Sequence, residues 1–257
     1  MELVVDIGNS DVVFGLFTEE EPRLVFRTPS QRDLPASEYE KRIRAWFLEN
    51  GLSYSDISGI IISSVVPNLT PVMEEVVERL FSVPPLLAGP AIYKGLSLKI
   101  KNPYEIGSDL VANATAAFTY HQSAAIVVDF GTALSFTVVS AKGEILGVNI
   151  APGIKTAMKS LFQETAQLPI IPLEYPTTFI GRDTVQAIQA GILVGYVGLV
   201  KEVINKIKEQ EPAESFKVIA TGGLSLVLEP LKEVFDQTDP HLTLKGLHLM
   251  YQNQKAS

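Results

Sequence analysis

Hydrophobic and polar residues follow one another along the chain in patterns that alternate between strands and helices. Leu3–Asp6 and Val12–Phe17 are apolar runs on either side of the polar turn Gly8–Asp11, which predicts a β-hairpin. Apolar and β-branched runs predict further strands at Leu24–Arg27, Gly59–Val66, Leu86–Leu87, Ala125–Asp129, Ser135–Ser140, Glu144–Ile150 and Lys217–Ala220. Helices are predicted at Ser37–Asn50, Pro71–Phe81, Ser108–Tyr120, Ile154–Thr165, Thr184–Gln210 and Ser225–Val234. This succession is typical of an α/β protein.

One sequence pattern occurs twice. Leu3–Ser10 reads LVVDIGNS and Ile126–Ala133 reads IVVDFGTA, so each has a β-branched run, an Asp, an apolar residue, a Gly and small residues. The copies lie nearly half the chain apart, and a β-branched strand follows each of them. We therefore predict a duplicated α/β fold, with halves at residues 1–117 and 118–257 around a central cleft.

Composition narrows the classes of function. The chain has 257 residues, 46% of them hydrophobic, and its 21 Lys and Arg against 29 Asp and Glu give a net charge of −8. This balance argues against nucleic-acid and acidic-membrane binding, which require a basic face. The absence of cysteine excludes disulfides, thiolate zinc sites, iron–sulfur clusters and cysteine nucleophiles. The three scattered histidines do not suggest a His-rich metal site.

Membrane and export signals are not expected. Glu2 and Asp6 flank the first apolar run, which is unlike a signal peptide. The uncharged stretch Ala190 to Val200 is too short to cross a bilayer of about 30 Å. We therefore expect a soluble, cytoplasmic protein.

The two polar turns are candidate phosphate sites. Gly8 and Gly131 are expected to permit positive φ and the close approach of a phosphate to backbone N–H groups. Neutral donors accompany them, namely Asn9, Ser10 and Thr132. Asp6 and Asp129, which end the preceding strands, can hold a hydrated cation. The alternative is a plain hairpin whose Asp caps its own turn.

Other nucleotide-binding signatures are absent, and a third glycine element is present. The sequence has no G-x-G-x-x-G, no Gly-Lys dipeptide of a Walker A loop and no G-x-S-x-G. Thr221-Gly222-Gly223 follows a predicted strand and precedes a predicted helix. These glycines would let a ribose or a flat ring pack against the backbone, or they form an ordinary β–α turn.

An ordered set of segments resembles the type III pantothenate kinases, within the superfamily of acetate kinase, sugar kinases, hsp70 and actin. The resemblance extends from Glu2 to about Gln252. It rests on Asp6–Ser10 (DIGNS), Asn102–Asp109 (NPYEIGSD), Val128–Thr132 (VDFGT), Ile150–Ile154 (IAPGI), Leu168-Pro169, Ile180–Thr184 (IGRDT), Ala190-Gly191 and Ala220–Gly223 (ATGG).

The resemblance implies a fold and an activity. The fold would be two ribonuclease H-like, actin-like ATPase domains. The enzyme would transfer the γ-phosphoryl group of ATP to pantothenate, giving 4'-phosphopantothenate in the first step toward coenzyme A. It would use Mg²⁺ and a monovalent cation, K⁺ or NH₄⁺, and would be a homodimer.

The same resemblance implies roles for individual residues. The cation ligand would be Asp129, and Gly107, Ser108, Asp109 and Leu110 would face pantothenate, with Asp109 as the base. Thr184 would contact pantothenate, reaching into the site of the partner subunit. The ATP-binding residues would be Asp6, Ile7, Gly8, Asn9, Ser10, Asp11, Val12, Val13 and Thr132.

Elementary chemistry is compatible with these roles but leaves alternatives open. Phosphoryl transfer depends on positioning and charge neutralisation, and a carboxylate such as Asp109 can accept the proton of an alcohol. Asp109 is alternatively a carboxylate that stabilises the first turn of a helix, and Thr184 an N-cap. We interpret Gly191, Gly195 and Gly198 as sites of close helix packing.

Several positions depart from the family's usual pattern. Leu110 replaces an arginine expected to pair with the pantothenate carboxylate, a loss of about 1.5–3 kcal/mol. Thr137 replaces an aspartate near the phosphates or metal, Ser108 an alanine and Ser10 a threonine. Two alternatives follow. One is a catalytically degenerate homologue that binds nucleotide or regulates, and the other is a kinase for a different, uncharged hydroxyl acceptor.

Overall fold

The computed structural model describes residues 1–93, 97–99, 102, 104–164, 169, 171–225 and 228–255. The chain forms two compact units. The first comprises Met1–Leu96, Lys101–Ala116 and His241–Ser257, and the second comprises Ser97–Ile100 and Ala117–Pro240.

The first unit is built on a five-stranded sheet. Its elements are β1 (Glu2–Ile7), β2 (Asp11–Phe17), β3 (Pro22–Pro29), α1 (Ala36–Glu49), β4 (Gly59–Ser64), α2 (Thr70–Leu80) and β5 (Pro85–Leu87). The strand order is β3-β2-β1-β4-β5. Alternate residues of β1 (Leu3, Val5 and Ile7) are fully buried against side chains of α1 and α2, as the period of two in a strand requires.

The second unit is built on a six-stranded sheet. Its elements, with the connecting helix α3, are β6 (Ser97–Leu98), α3 (Ser108–His121), β7 (Ala125–Phe130), β8 (Ala133–Val139), β9 (Glu144–Pro152), α4 (Ile154–Glu164), α5 (Thr184–Gln189), α6 (Gly195–Gln210), β10 (Lys217–Thr221) and β11 (Gln237–Thr238). The strand order is β11-β10-β7-β8-β9-β6. Thr165, which ends a predicted helix, and Leu168 of the predicted motif lie outside the described residues.

The two sheets confirm the predicted duplication. Strands β1 to β5 correspond in order to β7, β8, β9, β10 and β11, with antiparallel pairs within each three-stranded meander and parallel pairs beyond it. Even the register irregularity recurs, after Leu16 in β2 and after Val138 in β8. Each Asp of the repeat faces a hydroxyl residue on the adjacent parallel strand, Ser63 opposite Asp6 and Thr221 opposite Asp129.

The C-terminal helix α7 (Leu242–Lys255), which the sequence analysis did not predict, belongs to the first unit and not to the second half as expected. Gly246 lets it approach α3, because a Cβ atom there would lie 1.9 Å from the carbonyl oxygen of Ala112. Further along the helix, Nε2 of His248 and, at its last residue, Nζ of Lys255 each lie 2.7 Å from a carboxylate oxygen of Glu2 on β1. These contacts attach the chain terminus to the first strand.

The attachment of α7 is expected to depend on pH through Glu2. Burial raises the pKa of this carboxyl, but hydrogen bonds from Lys255 and His248 lower it further, so the net pKa is below its ordinary value of 4.5. A lowered pKa in the folded state adds stability above the ordinary pKa, and this is lost as the pH falls through the folded-state value. We expect Glu2→Gln to lower the free energy of unfolding by about 1–2 kcal/mol at neutral pH. Below pH 4.5 the variant should lose less stability with falling pH than the wild type.

Urea unfolding of the wild type and Glu2→Gln between pH 3 and 7 measures this. Glu49→Gln, at the exposed end of α1, is the matched control and should follow the wild type. Equal pH dependence in all three proteins would contradict the role of Glu2.

Two helical segments differ from expectation. The predicted helix at Ser225–Val234 is replaced, in its described part, by a turn at Ser225 and a short 3₁₀ helix at Glu229–Leu231; residues 226 and 227 lie outside the described residues. The predicted helix Thr184–Gln210 is confirmed, but a π-helical turn at Ala190–Val194 separates α5 from α6. This 27-residue run is long and apolar enough to cross a membrane, a property that core helices of soluble proteins share. Its most apolar window is 33% buried.

Candidate active site

The first polar turn, between β1 and β2, is held by a compact set of backbone contacts. The N–H of Gly8 donates to the carbonyl oxygen of Asp11 at 2.9 Å, and Ser30 donates from its backbone N to Ser10 O and from Oγ to Gly8 O. The φ of Gly8 is not positive, so that expectation was wrong. The close approach of the backbone favours glycine instead, since a Cβ there would lie 3.2 Å from Asp11 O.

Only part of the predicted ATP-binding segment presents side chains outside the core. Asn9 and Ser10 are exposed, and the Asp11 carboxylate is 3.0 Å from Arg27 of β3. Ile7 and Val12 are fully buried, so they can offer a ligand their backbone only.

The second polar turn, between β7 and β8, is closed by the segment that follows β9. The carbonyl oxygen of Thr132 accepts from Gly153 N at 3.0 Å and from Thr156 Oγ1 at 2.7 Å. A Cβ atom at Gly153 would lie 2.3 Å from Gly131 O, so glycine is required there. Gly131 itself has no positive φ, again contrary to expectation. These hydrogen bonds fix the Thr132 carbonyl, and Thr132 itself is exposed at the turn.

The Thr-Gly-Gly element lies beside Asp129. Gly222 has a φ of +87°, and a Cβ atom there would lie 2.5 Å from Asp129 Oδ1 and 2.7 Å from Phe130 N. Thr221, in register with Asp129, is 1% exposed, and its Oγ1 has no hydrogen-bond partner in the described part of the chain. An orphaned hydroxyl next to a carboxylate fits a monovalent cation, which exchanges its hydration shell for protein oxygens. No group of three Asp, Glu, His or Cys suited to a metal occurs among the residues described.

Thr137 lies deeper in the same sheet. It faces Val127 on β7, two pairs further from the turn than Asp129 and Ser135, and is 1% exposed. Its Oγ1 also lacks a partner. A buried hydroxyl without a hydrogen bond costs about 1–3 kcal/mol, whereas an apolar group of the same shape has no such cost.

Thr137→Val is therefore expected to stabilise the protein by about 1 kcal/mol. Thermal or urea unfolding measures the change. Thr28→Val is the matched control, because the Thr28 hydroxyl is buried but accepts from Arg42 at 2.6 Å. That variant should lose about 0.5–1.5 kcal/mol. A destabilised Thr137→Val would show that the hydroxyl is satisfied.

Asp109 sits at the start of α3 with its carboxyl folded back on the backbone. Its Oδ1 accepts from Leu110 N at 2.9 Å, and a Cβ atom at Gly107 would lie 2.3 Å from the same oxygen. Burial raises the pKa of Asp109 above its ordinary value, although hydrogen bonds from Leu110 N and its own N oppose this. Burial, and to a smaller extent the charge of Asp109, raise the pKa of Tyr93 to about 12. The tyrosine is thus a neutral neighbour of the carboxyl.

The residue before Asp109 connects it to the sheet. Ser108 is buried, and its Oγ lies 2.8 Å from Oγ of Ser63, the residue that faces Asp6 across β1 and β4. The first unit therefore brings the Asp6 strand and the Asp109 motif together through one hydroxyl pair. Sequence reasoning missed Ser63, although the change from the family's alanine at 108 was a signal.

Thr184 is the first residue of α5 and is exposed. It is not the N-cap: Oδ1 of Asp183 accepts from Gln186 N at 2.8 Å. Gly191, Gly195 and Gly198 are exposed, and no described atom lies within 4 Å of their Cβ positions, so close helix packing at these glycines is not found within the described chain.

Two α/β units with one strand order, each opening on an Asp-x-Gly hairpin, define the class of actin-like ATPases and sugar kinases with ribonuclease H-like units. Within that class, the family model of type III pantothenate kinase matches residues 2–206, and the chain belongs to this family. The family and the kinases among its structural neighbours indicate an ATP-using phosphotransferase.

Solved structures share the fold over nearly the full chain. A candidate Baf family transcriptional activator from Campylobacter jejuni is 20% identical, with a TM-score of 0.61 and coverage of 99% of this chain and 100% of that one. The 2-hydroxyisocaproyl-CoA dehydratase activator from Clostridium difficile, with bound ADPNP, is 8% identical, with a TM-score of 0.52 and coverage of 99% and 96%. A candidate 2-dehydro-3-deoxygalactonokinase from Sinorhizobium meliloti is 10% identical, with a TM-score of 0.58 and coverage of 98% and 96%. Such identities show the fold alone.

Proposed function

We propose that this protein phosphorylates pantothenate with ATP, giving 4'-phosphopantothenate and ADP. The observation that carries the proposal is the Asp109 carboxyl, held at the start of α3 over Gly107 and tied through Ser108 and Ser63 to the strand of Asp6. The acceptor hydroxyl oxygen bonds to the γ-phosphorus while the bond from that phosphorus to the β–γ bridging oxygen breaks. Asp109 accepts the hydroxyl proton.

We assign the binding of the ATP phosphates to the two polar turns. Asn9, Ser10 and Thr132 are exposed on them and offer neutral donors to phosphate oxygens, as an acidic protein requires for a polyanion. Magnesium ions are commonly held by one or two carboxylates together with substrate phosphates, and Asp6 is the candidate ligand. The positive charge of the magnesium ion would neutralise the phosphates.

A monovalent cation is assigned to Asp129 and Thr221. The carboxylate and the unpartnered Oγ1 are both oxygen ligands, and Gly222 holds the neighbouring backbone against Asp129. A K⁺ titration of ATP turnover is the test. Thr221→Val should raise the K⁺ concentration needed for half-maximal activity, and an unchanged K⁺ response would contradict the assignment.

We also propose a homodimer formed through the region of α5 and α6. Phe179, Ile180 and Val185 are exposed by 68%, 78% and 39%, and Gly195 faces open space. Large apolar side chains exposed on one short stretch of the chain are candidates for an interface. Light scattering should give about twice the chain mass of 28.0 kDa, and Gly195→Glu should give a folded monomer. A monomeric wild type would exclude the dimer.

Leu110 is the observation that favours a second candidate, a kinase for an uncharged hydroxyl acceptor. It is partly buried next to Asp109 and offers no charge to a carboxylate. A catalytically degenerate homologue, which binds nucleotide or regulates, is the remaining alternative.

Coupled ADP release with ATP, K⁺ and pantothenate, on the wild type and on Leu110→Arg, separates these candidates. Turnover by the wild type supports the pantothenate kinase and excludes the degenerate homologue. Turnover by Leu110→Arg alone indicates that the acceptor site has changed. If neither protein turns over pantothenate, the proposed reaction is wrong.

A further inference from the structure

A cavity of about 590 Å³ lies in the second unit beside the start of α5. Its volume is in the range of small-molecule sites, roughly 300–1,000 Å³. Most of the lining is apolar or glycine, and the polar groups come from three consecutive residues. The lining residues are Leu161, Gly181, Arg182, Asp183, Thr184, Ala187, Ile188, Gly191 and Ile192.

Two glycines shape this cavity in different ways. Gly181 fixes the loop against α5, because a Cβ atom there would lie 2.3 Å from Ala187 N. Gly191 leaves room, because outside its own helix no atom of the described residues lies within 4 Å of its Cβ position. The loop before α5 is therefore held in place, and the space in front of it is open.

The two charged side chains on this loop, Asp183 and Arg182, differ in their partners. Asp183 caps α5 through Gln186 N, and the Arg182 backbone N donates to Gln186 Oε1 at 3.2 Å. In the part of the chain that the structure describes, no carboxylate lies within salt-bridge distance of the Arg182 guanidinium. Arg182 is thus a cation on a fixed loop, beside an apolar cavity, in a protein of net charge −8.

We propose that Arg182 binds the carboxylate of the acceptor, the contact that Leu110 cannot make. This inference rests on the proposed pantothenate kinase activity. Pantothenate is a carboxylate joined through an amide to a branched aliphatic alcohol, which suits one guanidinium, one hydroxyl and apolar walls. Guanidinium forms bidentate hydrogen bonds with carboxylates, and Thr184 next to it supplies the hydroxyl. Arg182 and Thr184 line the same cavity, so one acceptor could contact both.

Steady-state kinetics with two acceptors tests the role of Arg182. The acceptors are pantothenate and pantothenol, its analogue with an alcohol in place of the carboxylate. Arg182→Gln should raise KM for pantothenate by about ten- to a hundred-fold with little change in kcat, and leave KM for pantothenol unchanged. Arg182→Lys should have an intermediate KM for pantothenate, since lysine keeps the positive charge but cannot form the bidentate hydrogen bonds of a guanidinium. Leu110→Arg should lower the raised KM of Arg182→Gln.

Lys142→Gln, which removes one positive charge from an exposed turn of the same unit, is the matched control and should behave as the wild type. If the wild type phosphorylates pantothenate and Arg182→Gln changes both KM values equally or neither, the role of Arg182 is wrong and the proposed function stands. If the wild type does not phosphorylate pantothenate, the proposed function fails and this inference fails with it.

Discussion

Asp109→Asn is expected to lower kcat for phosphoryl transfer by about 10²- to 10⁴-fold, the usual contribution of a general base. The asparagine oxygen can accept the same hydrogen bond from Leu110 N, so α3 should start as before. The amide cannot take the acceptor proton. Because the substitution also removes a charge disfavoured by burial, Tm should be unchanged or higher.

Initial rates and nucleotide binding, measured together, distinguish lost chemistry from a lost fold. Glu105→Gln, an exposed carboxylate near the same motif, is the matched control and should keep full activity. The pH dependence gives a second readout. The base acts when ionised and burial raises its pKa, so wild-type kcat/KM should fall with acidification at a pH above the ordinary value of 3.8. Full activity of Asp109→Asn would remove Asp109 as the base.

Gly222→Ala is expected to destabilise the protein by about 2–5 kcal/mol, combining backbone strain with overpacking. The φ of +87° disfavours any side chain, and the new methyl group would overlap Phe130 N and Asp129 Oδ1. Since the backbone of β7 cannot yield as a flexible side chain can, Asp129 should be displaced. We expect a lower Tm together with a weakened response to K⁺.

Gly223→Ala is the matched control in the neighbouring position. Apart from its chain neighbours, no described residue has an atom within 4 Å of its Cβ position, so its free energy of unfolding should change by less than about 0.5 kcal/mol. If the two alanine variants are equally stable, the packing of Gly222 on Asp129 is not a constraint.

Most of the central framework could be predicted from the sequence, because its strands are strongly apolar and β-branched. The two Asp-x-Gly hairpins and the strand at Gly59–Ser64 are examples. The duplication of the sheet was predicted as well, since a repeated pattern implies a repeated sheet, but the strand order was not predicted. Strand positions and hairpins are encoded by local periodicity and tight turns, each of which involves only a few residues.

The errors arose where long-range packing or a single residue overrides the pattern. The predicted helix at Ser225–Val234 contains Pro230, whose ring and missing N–H oppose a helix interior. Helix α7 was missed because Gly246 lowers helix propensity, and only its packing on α3 explains that glycine. The capping role of Asp183 in place of Thr184 depends on a one-residue difference that periodicity does not resolve.

For the candidate site, residue types were predictable but their surroundings were not. The candidate role of Asp109 followed from its motif, whereas the raised pKa and the support from Ser63 depend on how α3 meets β4. Thr137 was expected near the phosphates, and the register of β8 places it two pairs further from the turn than Asp129.

The correspondence of Ser63 and Thr221 bears on how a duplicated protein becomes asymmetric. Both hydroxyls face the repeat Asp from the same position of the same sheet. In the first unit a serine at the start of α3 engages the hydroxyl, and in the second no residue that the structure describes bonds to it. Two copies of one ancestral sheet can therefore acquire different chemistry without any change in strand order, through a single side chain contributed by a neighbouring helix. After such divergence, the two sheets keep the same strand order, and the contacts between neighbouring elements differ.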